Sequence, residues 1–236
     1  INPFPYSYTS THKIVNILAE QENLLNSHVS ISGRIVSFRK MGKASFIHIQ
    51  EESSKLQVYA KSDILPDTIY DNIVRNLDLG DIVGISGDLF ITKMGGLTVK
   101  TTGLELLSKN IRPLPNLKEK DGEAFNAFED KELRYRHRHL DLIANPEVMD
   151  VFKLRAKIIS TIRSELDAQD YIEVETPVLQ NIYGGASARP FTTFHNTLEQ
   201  KLYLRIADEL YLKRLIIGGF TKVYEIAKNF RNEGMD

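Results

Sequence analysis

The first hundred residues contain several short runs in which apolar and polar positions alternate, the period that is typical of half-buried strands. These runs are Val29–Phe38, Ala44–Gln50, Leu56–Ala60, Asp81–Ile91 and Leu97–Thr102. Two of the breaks between them contain glycine, which predicts a hairpin turn at Met41-Gly42 and another at Gly95-Gly96. The pattern therefore predicts an antiparallel β domain at the start of the chain.

Two stretches of the same region have apolar residues at helical spacing instead. His12–Leu25 predicts a helix capped by Ser10 or Thr11, and Pro66–Leu77 predicts a second helix between the third and fourth strands. Three strands, a helix and two more strands is the order of the OB-fold, a five-stranded barrel that commonly binds oligonucleotides.

The pleat of the second and third strands predicts which side chains face the barrel core. If Ile47 points inward, then Phe46, Gln57 and Tyr59 share the outer face, and Arg39 lies nearby. An aromatic ring on a polar face can stack on single-stranded bases. The same ring can also close the end of the barrel or pack under a helix, and the pattern leaves both interpretations open.

Residues 108–130 are polar, contain two prolines and predict a linker between an N-terminal domain, 1–107, and a second region, 131–236. Just after the linker, five of the six residues from Arg134 to His139 are basic or histidine. This cluster suits either contact with a phosphate backbone or a solvated helix face at a domain junction.

A long apolar helical stripe follows Asn145-Pro146-Glu147, a helix start in which a cap residue precedes proline and an acid. A predicted strand, Tyr171–Thr176, then ends at Pro177, which cannot donate a ladder hydrogen bond. The pattern alone favours a helix that packs on the sheet of its own domain.

Near the end of the chain, two predicted strands, Leu202–Ile206 and Lys222–Asn229, flank an amphipathic helix that starts near Asp208. If the second strand continues, Arg231 and Glu233 share one face with a period of two. From the spacing alone, such a pair is as well explained as a surface ion pair.

Four segments carry a resemblance to a known family. Phe-Arg-Asn-Glu-Gly-Met-Asp at 230–236 resembles motif 2 of the class II aminoacyl-tRNA synthetases. Glu-Leu-Tyr at 209–211, Gly-Gly-Ala at 184–186 and Met-Gly-Lys-Ala-Ser-Phe at 41–46 are similar to lysyl-tRNA synthetases. The resemblance covers nearly the whole chain. It implies an α+β protein: an OB-fold barrel followed by a catalytic domain with an antiparallel sheet and flanking helices.

The resemblance also implies an activity and a set of site residues. The reaction is ATP-dependent activation of lysine to lysyl-adenylate, with magnesium ions, and transfer to the 3′ end of the lysine tRNA. Arg231 would be catalytic on the α-phosphate and would bind ATP together with Asn232 and Glu233. Gly185 and Glu209 would bind lysine. Two glycines are also ordinary turn residues, and an acid in the first helical turn is common.

In the anticodon-binding domain, the resemblance implies that Phe46 stacks on the central anticodon uridine and Gln57 hydrogen-bonds it, with a backbone role for Arg39. It also makes the helix before Pro177 part of motif 1, which builds a homodimer interface in this family. One position departs from the pattern: Gly96 stands where the family has a glutamate that contacts the anticodon.

Composition narrows the alternatives. The 236 residues carry a net charge of −1 and no cysteine, so disulfides and thiolate metal sites are excluded and no global basic surface indicates nucleic acid. No apolar run is long enough for a membrane span and no signal-peptide pattern is present, which suits a cytoplasmic protein. The P-loop and dinucleotide-binding glycine motifs are absent.

The chain opens with Ile1 rather than methionine and stops within a motif at Asp236, so we expect residues to precede and follow it. The resemblance places motif 3, the magnesium carboxylates and the group that recognises the lysine side chain after Asp236. Two alternatives therefore stay open: an aspartyl- or asparaginyl-type synthetase, and a non-catalytic tRNA-binding fragment of a synthetase.

Overall fold

The computed structural model of the protein describes residues 5, 7–115, 117–120, 123–126 and 128–234. The chain ends that were discussed above, Ile1 and Asp236, lie outside the described residues. The chain forms two compact units, Ile1–Phe152 and Lys153–Asp236, and each is described by itself.

A closed five-stranded barrel forms the centre of the first unit, in the order β1-β2-β3-β5-β4. The strands are β1 (His28–Met41), β2 (Ala44–Glu51), β3 (Ser54–Lys61), β4 (Ile82–Ile91) and β5 (Leu97–Ser108). β3 and β5 pair in parallel, and the other neighbours pair antiparallel. The predicted OB-fold is confirmed, and both glycine turns are in place, with Gly42 and Gly95 at positive φ.

The barrel core follows the predicted alternation. Ile47 and Ile49 of β2 and Leu56, Val58 and Ala60 of β3 are buried, and the residues between them are only partly buried. Because every second residue of each strand enters the core, the outer face of β2 and β3 is left available for a ligand.

The predicted N-terminal helix is split into α1 (Ile14–Ala19) and α2 (Gln21–Leu24), and the predicted cap is wrong. The hydroxyl of Thr11 is bonded to the backbone of Ser30 instead. The first amide of α1, that of Ile14, donates to the Glu51 carboxylate at 2.7 Å. A side chain from β2 therefore supplies the cap that the local sequence was expected to supply.

The predicted second helix is also broken, into α3 (Asp67–Tyr70) and a 3₁₀ turn, Val74–Asn76. The residues that enter the core from this segment are Tyr70, Val74 and Leu77. Packing these side chains against the barrel outweighs the helical spacing of the sequence, because burial of large side chains stabilises more than helix propensity.

Segment 108–130 contains a hairpin formed by β6 (Leu117–Lys120) and β7 (Glu123–Asn126). The basic cluster then lies on α4 (Lys131–Arg136) and α5 (Arg138–Ala144). The long helix α6 (Val148–Asp167) begins three residues after the predicted cap, Asn145. Asn145 is instead the C-cap residue of α5, and its side-chain amide donates to the buried Asp141 carboxylate at 2.7 Å.

The second unit contains most of α6, a three-stranded antiparallel sheet, a parallel strand pair and one further helix. Its elements are β8 (Ile172–Glu173), β9 (Leu179–Gln180), β10 (Thr192–His195), β11 (Gln200–Leu204), α7 (Glu209–Ile217) and β12 (Val223–Tyr224). The sheet has the order β10-β11-β9, and β12 pairs with β8. The α7 helix starts where the sequence predicted.

Two strands of this unit are shorter than predicted, whereas the predicted strand Leu202–Ile206 keeps its length and lies two residues earlier, at Gln200–Leu204. The run Lys222–Asn229 forms a strand only over Val223–Tyr224, and Tyr171–Thr176 only over Ile172–Glu173. A continuous strand that would carry Arg231 and Glu233 on one face is therefore absent from the described residues. After Tyr224 the backbone bonds to residues that lie outside the strands. The Lys228 carbonyl accepts from the Arg205 side chain, and the Phe230 amide donates to the Arg205 carbonyl.

Candidate functional site

An apolar pocket of about 580 Å³ lies on the outer face of the barrel. It is lined by Phe46, Gln57, Tyr59, Phe90, Thr92, Lys93, Met94 and Gly96. The structure thus brings Phe46 and Gln57, which were predicted from adjacent strands, to one surface.

The aromatic side chains of this pocket are arranged as a continuous row across three strands. The rings of Phe46 and Tyr59, which are directly opposite in the β2–β3 register, have centroids 5.0 Å apart at 44°. The Tyr59 and Phe90 rings follow at 6.4 Å and 67°. These partly buried rings leave faces on which an unpaired base can stack.

Two polar features border the row of rings. The Gln57 side chain offers both donors and an acceptor, and a Cβ built on Gly96 would lie 3.5 Å from its Oε1. Gly96 therefore leaves open space beside the amide that a longer side chain would occupy. Arg39 pairs with Phe46 across β1 and β2 and is exposed, but it does not line the pocket.

The sequence patterns did not single out Phe90 or Met94 for this surface. Phe90 follows the buried Leu89, so the alternation along β4 was a signal that its ring points outward. Met94 is 97% exposed at the tip of the β4–β5 turn, and no strand period predicts where a turn residue lies.

In the second unit, the glycine loop lies against the start of α7. Gly185 has φ of +85°, and a Cβ at this position would be 3.1 Å from the Glu209 Cβ and 3.3 Å from the Ala207 Cβ. Only glycine adopts this conformation without strain, and it lets the loop backbone approach Glu209 closely. The two residues predicted to bind lysine are therefore neighbours.

Glu209 stands in the first turn of α7 and forms an ion pair with Lys213, one turn later. Its side chain is 46% exposed. The Glu209 carboxylate thus accepts the ammonium group of Lys213 at a site that is open to solvent. The backbone of Gly185 lies next to it.

A second pocket, of about 600 Å³, lies between the glycine loop and the end of the described chain. It is lined by Tyr183, Ser187, Ala188, Arg189, Pro190, Asn232, Glu233 and Gly234. The Asn232 amide donates to the Arg189 carbonyl at 2.7 Å, and the Phe230 amide donates to the Arg205 carbonyl at 2.9 Å.

The bonds of Phe230 and Asn232, which are two residues apart, keep 230–232 extended, although this segment is not part of a regular strand. Asn232 and Glu233 line the pocket, whereas the exposed Arg231 lies beside it and is not among the lining residues. Arg189 is a cation at this pocket that the sequence patterns did not predict. Its only signal was its place in the glycine loop.

The Arg205 guanidinium is buried at the base of this region, with 4% of the residue exposed. Its side chain forms an ion pair with Glu225 at 2.5 Å and also donates to Thr176 and Lys228. Pro177, the predicted interface residue, follows Thr176 and is exposed, and its carbonyl accepts a bond from Gln180 at 3.2 Å.

The basic cluster on α4 and α5 is partly neutralised within the chain. The buried Asp141 carboxylate accepts from Arg134 at 2.7 Å and also pairs with Arg138. Burial by itself raises the pKa of Asp141, but the bond from Asn145 and the two guanidinium groups outweigh it, so that pKa is below its usual range. Because Arg134 and Arg138 both pair with Asp141, a structural role at a domain junction is favoured for them over contact with a phosphate backbone.

The described residues contain no group of three or more histidine or carboxylate side chains that could hold a metal ion. Across the same described residues, no helix combines the length and apolarity needed to cross a membrane.

Comparison with known proteins gives two family matches. Residues 130–236 match the family described as class II tRNA synthetases (D, K and N), and residues 29–112 match the OB-fold nucleic acid binding domain of the anticodon-binding type. The chain is 50% identical over 235 residues to a lysine–tRNA ligase of Carboxydothermus hydrogenoformans. The alignment covers all of this chain and 46% of that relative, so the chain spans about half of the relative's length.

Proposed function

Because the chain belongs to the class II aminoacyl-tRNA synthetases, we propose that it takes part in lysine–tRNA ligation as the anticodon-binding and first catalytic portion of the enzyme. The observation that carries this proposal is the contact between Gly185 and Glu209 beside the pocket that Asn232 and Glu233 line. This arrangement supports an amino-acid site next to a nucleotide site, as an adenylation reaction requires.

The first step is attack by the lysine carboxylate on the α-phosphorus of ATP. A bond forms between a carboxylate oxygen and that phosphorus, the bond to the β-phosphate oxygen breaks, and pyrophosphate leaves. Two anions must meet, so the step needs positioning and positive charge. We assign the charge to Arg231, whose planar guanidinium can grip two phosphoryl oxygens, and contacts with the ATP base to Glu233 and Asn232.

Lysine would bind through its α-ammonium group to Glu209, beside Gly185. The partly exposed side chain of Glu209 and the close approach of Gly185 support this role, because the carboxylate is open to a ligand beside the glycine loop. The whole activity also needs groups that the resemblance places after Asp236, and magnesium would accompany ATP.

The barrel pocket would bind the anticodon of the lysine tRNA. A base would stack on Phe46 in the row of rings and bond to Gln57, and Arg39 would contact the backbone nearby. The activated lysine would then be transferred to the 3′ end of the same tRNA.

We also propose a homodimer built on α6 and Pro177, in the cytoplasm. None of the residues of α6 is buried, although the helix carries an apolar stripe that includes Val151, Leu154, Ile158 and Ile162. An apolar helix face of this size supports a protein partner, and the family resemblance supports a second copy of the chain.

Two alternatives come from the family itself. The matching family includes enzymes for aspartate and asparagine, so the family match alone does not select the amino acid. The 50% identity to a lysine–tRNA ligase favours lysine. A non-catalytic tRNA-binding role would keep the barrel pocket and lack ATP binding.

Lysine-dependent ATP–pyrophosphate exchange, measured on the polypeptide expressed from its complete reading frame, tests the proposal. Exchange is expected with lysine and not with aspartate or asparagine. Glu209→Gln is expected to raise the KM for lysine about 10- to 150-fold, since a hydrogen bond to a charged group contributes about 1.5–3 kcal/mol.

Glu132→Gln is the matched control, because Glu132 also lies in the first turn of a helix and pairs with a cation four residues later, Arg136. This control should leave the KM unchanged. Exchange driven by aspartate or asparagine would reject lysine as the substrate. Tight tRNA binding without exchange or ATP binding would favour the non-catalytic role.

A further inference from the structure

The buried Arg205 makes an unusual number of bonds for one side chain. Its Nε donates to the Lys228 carbonyl at 3.1 Å, and its Nη1 donates to the Thr176 carbonyl at 3.1 Å and hydroxyl at 2.9 Å. The same Nη1 lies 2.5 Å from a Glu225 oxygen. Two segments that are distant in sequence, at Thr176 and at 225–228, therefore meet at the guanidinium of Arg205.

Glu225, the counter-ion of Arg205, is also buried and hydrogen-bonded. The Thr176 hydroxyl donates to the second oxygen of Glu225 at 2.6 Å, and the side chains of Arg205 and Glu225 are each 5% exposed. Buried ion pairs of this kind add little stability over an apolar pair, because both charges must leave water. The bonds among Arg205, Glu225 and Thr176 are better explained by the fixed positions that they give to these three chain segments.

The backbone of Arg205 joins the same segments. Its amide donates to the Val178 carbonyl at 2.9 Å, and its carbonyl accepts from the Phe230 amide at 2.9 Å. Thr176 to Val178 surround the exposed Pro177, and Phe230 directly precedes Arg231. The residue thus connects the end of the proposed motif 1 to the segment that delivers the proposed catalytic arginine.

The Arg205 side chain also bonds to backbone beyond the end of a strand. The β12 strand ends at Tyr224, yet a carbonyl further along, that of Lys228, is satisfied by the Arg205 side chain. A guanidinium offers five donors in a fixed plane, so it can bond to two carbonyls and a carboxylate at once, whereas an ammonium has no such plane.

We propose that Arg205, with Glu225 as its counter-ion, is a positioning residue that holds the segment before Arg231 in register with Thr176–Val178. This inference rests on the proposed function, because it concerns the direction in which Arg231 meets the α-phosphate. Arg205 itself touches no substrate in this scheme. A small displacement of a reacting group lowers the rate of the chemical step more than it weakens substrate binding.

The first test is Arg205→Lys, which keeps the charge and the ion pair but loses the planar set of donors. In lysine-dependent pyrophosphate exchange with the complete polypeptide, kcat is expected to fall about 10- to 100-fold while the KM for ATP changes less than about threefold. Arg163→Lys is the matched control, because Arg163 donates to both oxygens of Glu173 at 3.0 and 2.9 Å in the same unit, without contacting 225–234. This control should keep kcat within about twofold.

The double variant Arg205→Met with Glu225→Leu separates positioning from stability. Because both buried charges are removed together, the variant should still fold. The Thr176 and Lys228 carbonyls lose their donor, so a moderately lower thermal midpoint is expected together with a low kcat. A double variant or an Arg205→Lys variant with full kcat would overturn the proposal, and so would a loss that appears only in the KM.

Hydrogen–deuterium exchange gives a measurement that does not depend on activity. The amides of Phe230 and Asn232 should exchange faster in Arg205→Lys and not in Arg163→Lys. If the unmodified protein shows no pyrophosphate exchange with any amino acid, the proposed function fails, while the amide exchange still decides whether Arg205 positions the segment. Unchanged protection at both amides would overturn that role.

Discussion

Removal of the Phe46 ring should weaken binding of the lysine tRNA while leaving the barrel folded. Phe46→Ala removes the ring that lies 5.0 Å from Tyr59 and forms one wall of the barrel pocket. Stacking of one base on an aromatic side chain contributes about 1–3 kcal/mol, which corresponds to an increase in Kd of about 5- to 150-fold. Loss of the Phe46–Tyr59 ring pair should also lower the free energy of unfolding, by about 0.5–1.5 kcal/mol for the ring interaction itself.

The assay is filter binding at one fixed ionic strength, because the phosphate contribution to affinity changes steeply with salt. Each protein is titrated with the lysine tRNA and with the same tRNA lacking its central anticodon base. If that base stacks on Phe46, Phe46→Ala and the abasic tRNA should each weaken binding, and the two changes together should weaken it little further.

Phe38→Ala is the matched control. Phe38 is a partly buried phenylalanine of β1 that packs against the core and pairs with the buried Ile47, so its loss destabilises the barrel without touching the pocket. This variant should bind tRNA normally at temperatures where it is folded. An unchanged Kd for Phe46→Ala, or fully additive losses with the abasic tRNA, would refute the stacking role.

Three further predictions concern single residues. Gly185→Ala forces a side chain into φ of +85° and should cost about 1–2 kcal/mol of stability and raise the KM for lysine, measured by thermal unfolding and pyrophosphate exchange. The pKa of Asp141 is depressed in the folded state, so its contribution to stability is present above about pH 4 and is lost as pH falls further. In denaturant titrations, the free energy of unfolding of Asp141→Asn should therefore fall less steeply with acid than that of the unmodified protein. Burial, followed by the bond to Asp167, raises the pKa of Tyr224 to about 12, so ultraviolet titration should show one tyrosine ionising late, and Tyr224→Phe should remove that late step.

In the barrel, the alternation of apolar and polar residues predicted which side chains are buried. The alternation around Ile47 and Val58 predicted both the core and the outer face that carries Phe46 and Gln57, because a strand exposes every second side chain wherever it lies in the fold. The glycines at 42 and 95 predicted the turns for an equally local reason, since both require positive φ.

Helix ends and strand lengths were not predictable in the same way. The cap of α1 comes from Glu51, which is 37 residues away from Ile14 in the chain. Segment 225–229 has the composition of a strand, but β12 ends at Tyr224 and the Lys228 carbonyl accepts from the side chain of Arg205. In each case a distant partner, absent from the local pattern, satisfies the backbone group.

The sequence by itself determined the barrel, the order of its strands, the helix that carries Glu209 and the residue types of the candidate site, because these depend on local period and on short motifs. Only the tertiary structure decided that Gly185 lies against Glu209, that Arg189 and Glu233 line one pocket, and that Arg205 joins three segments. These arrangements depend on contacts between residues that are far apart along the chain, and such contacts form only when the folded core brings their segments together.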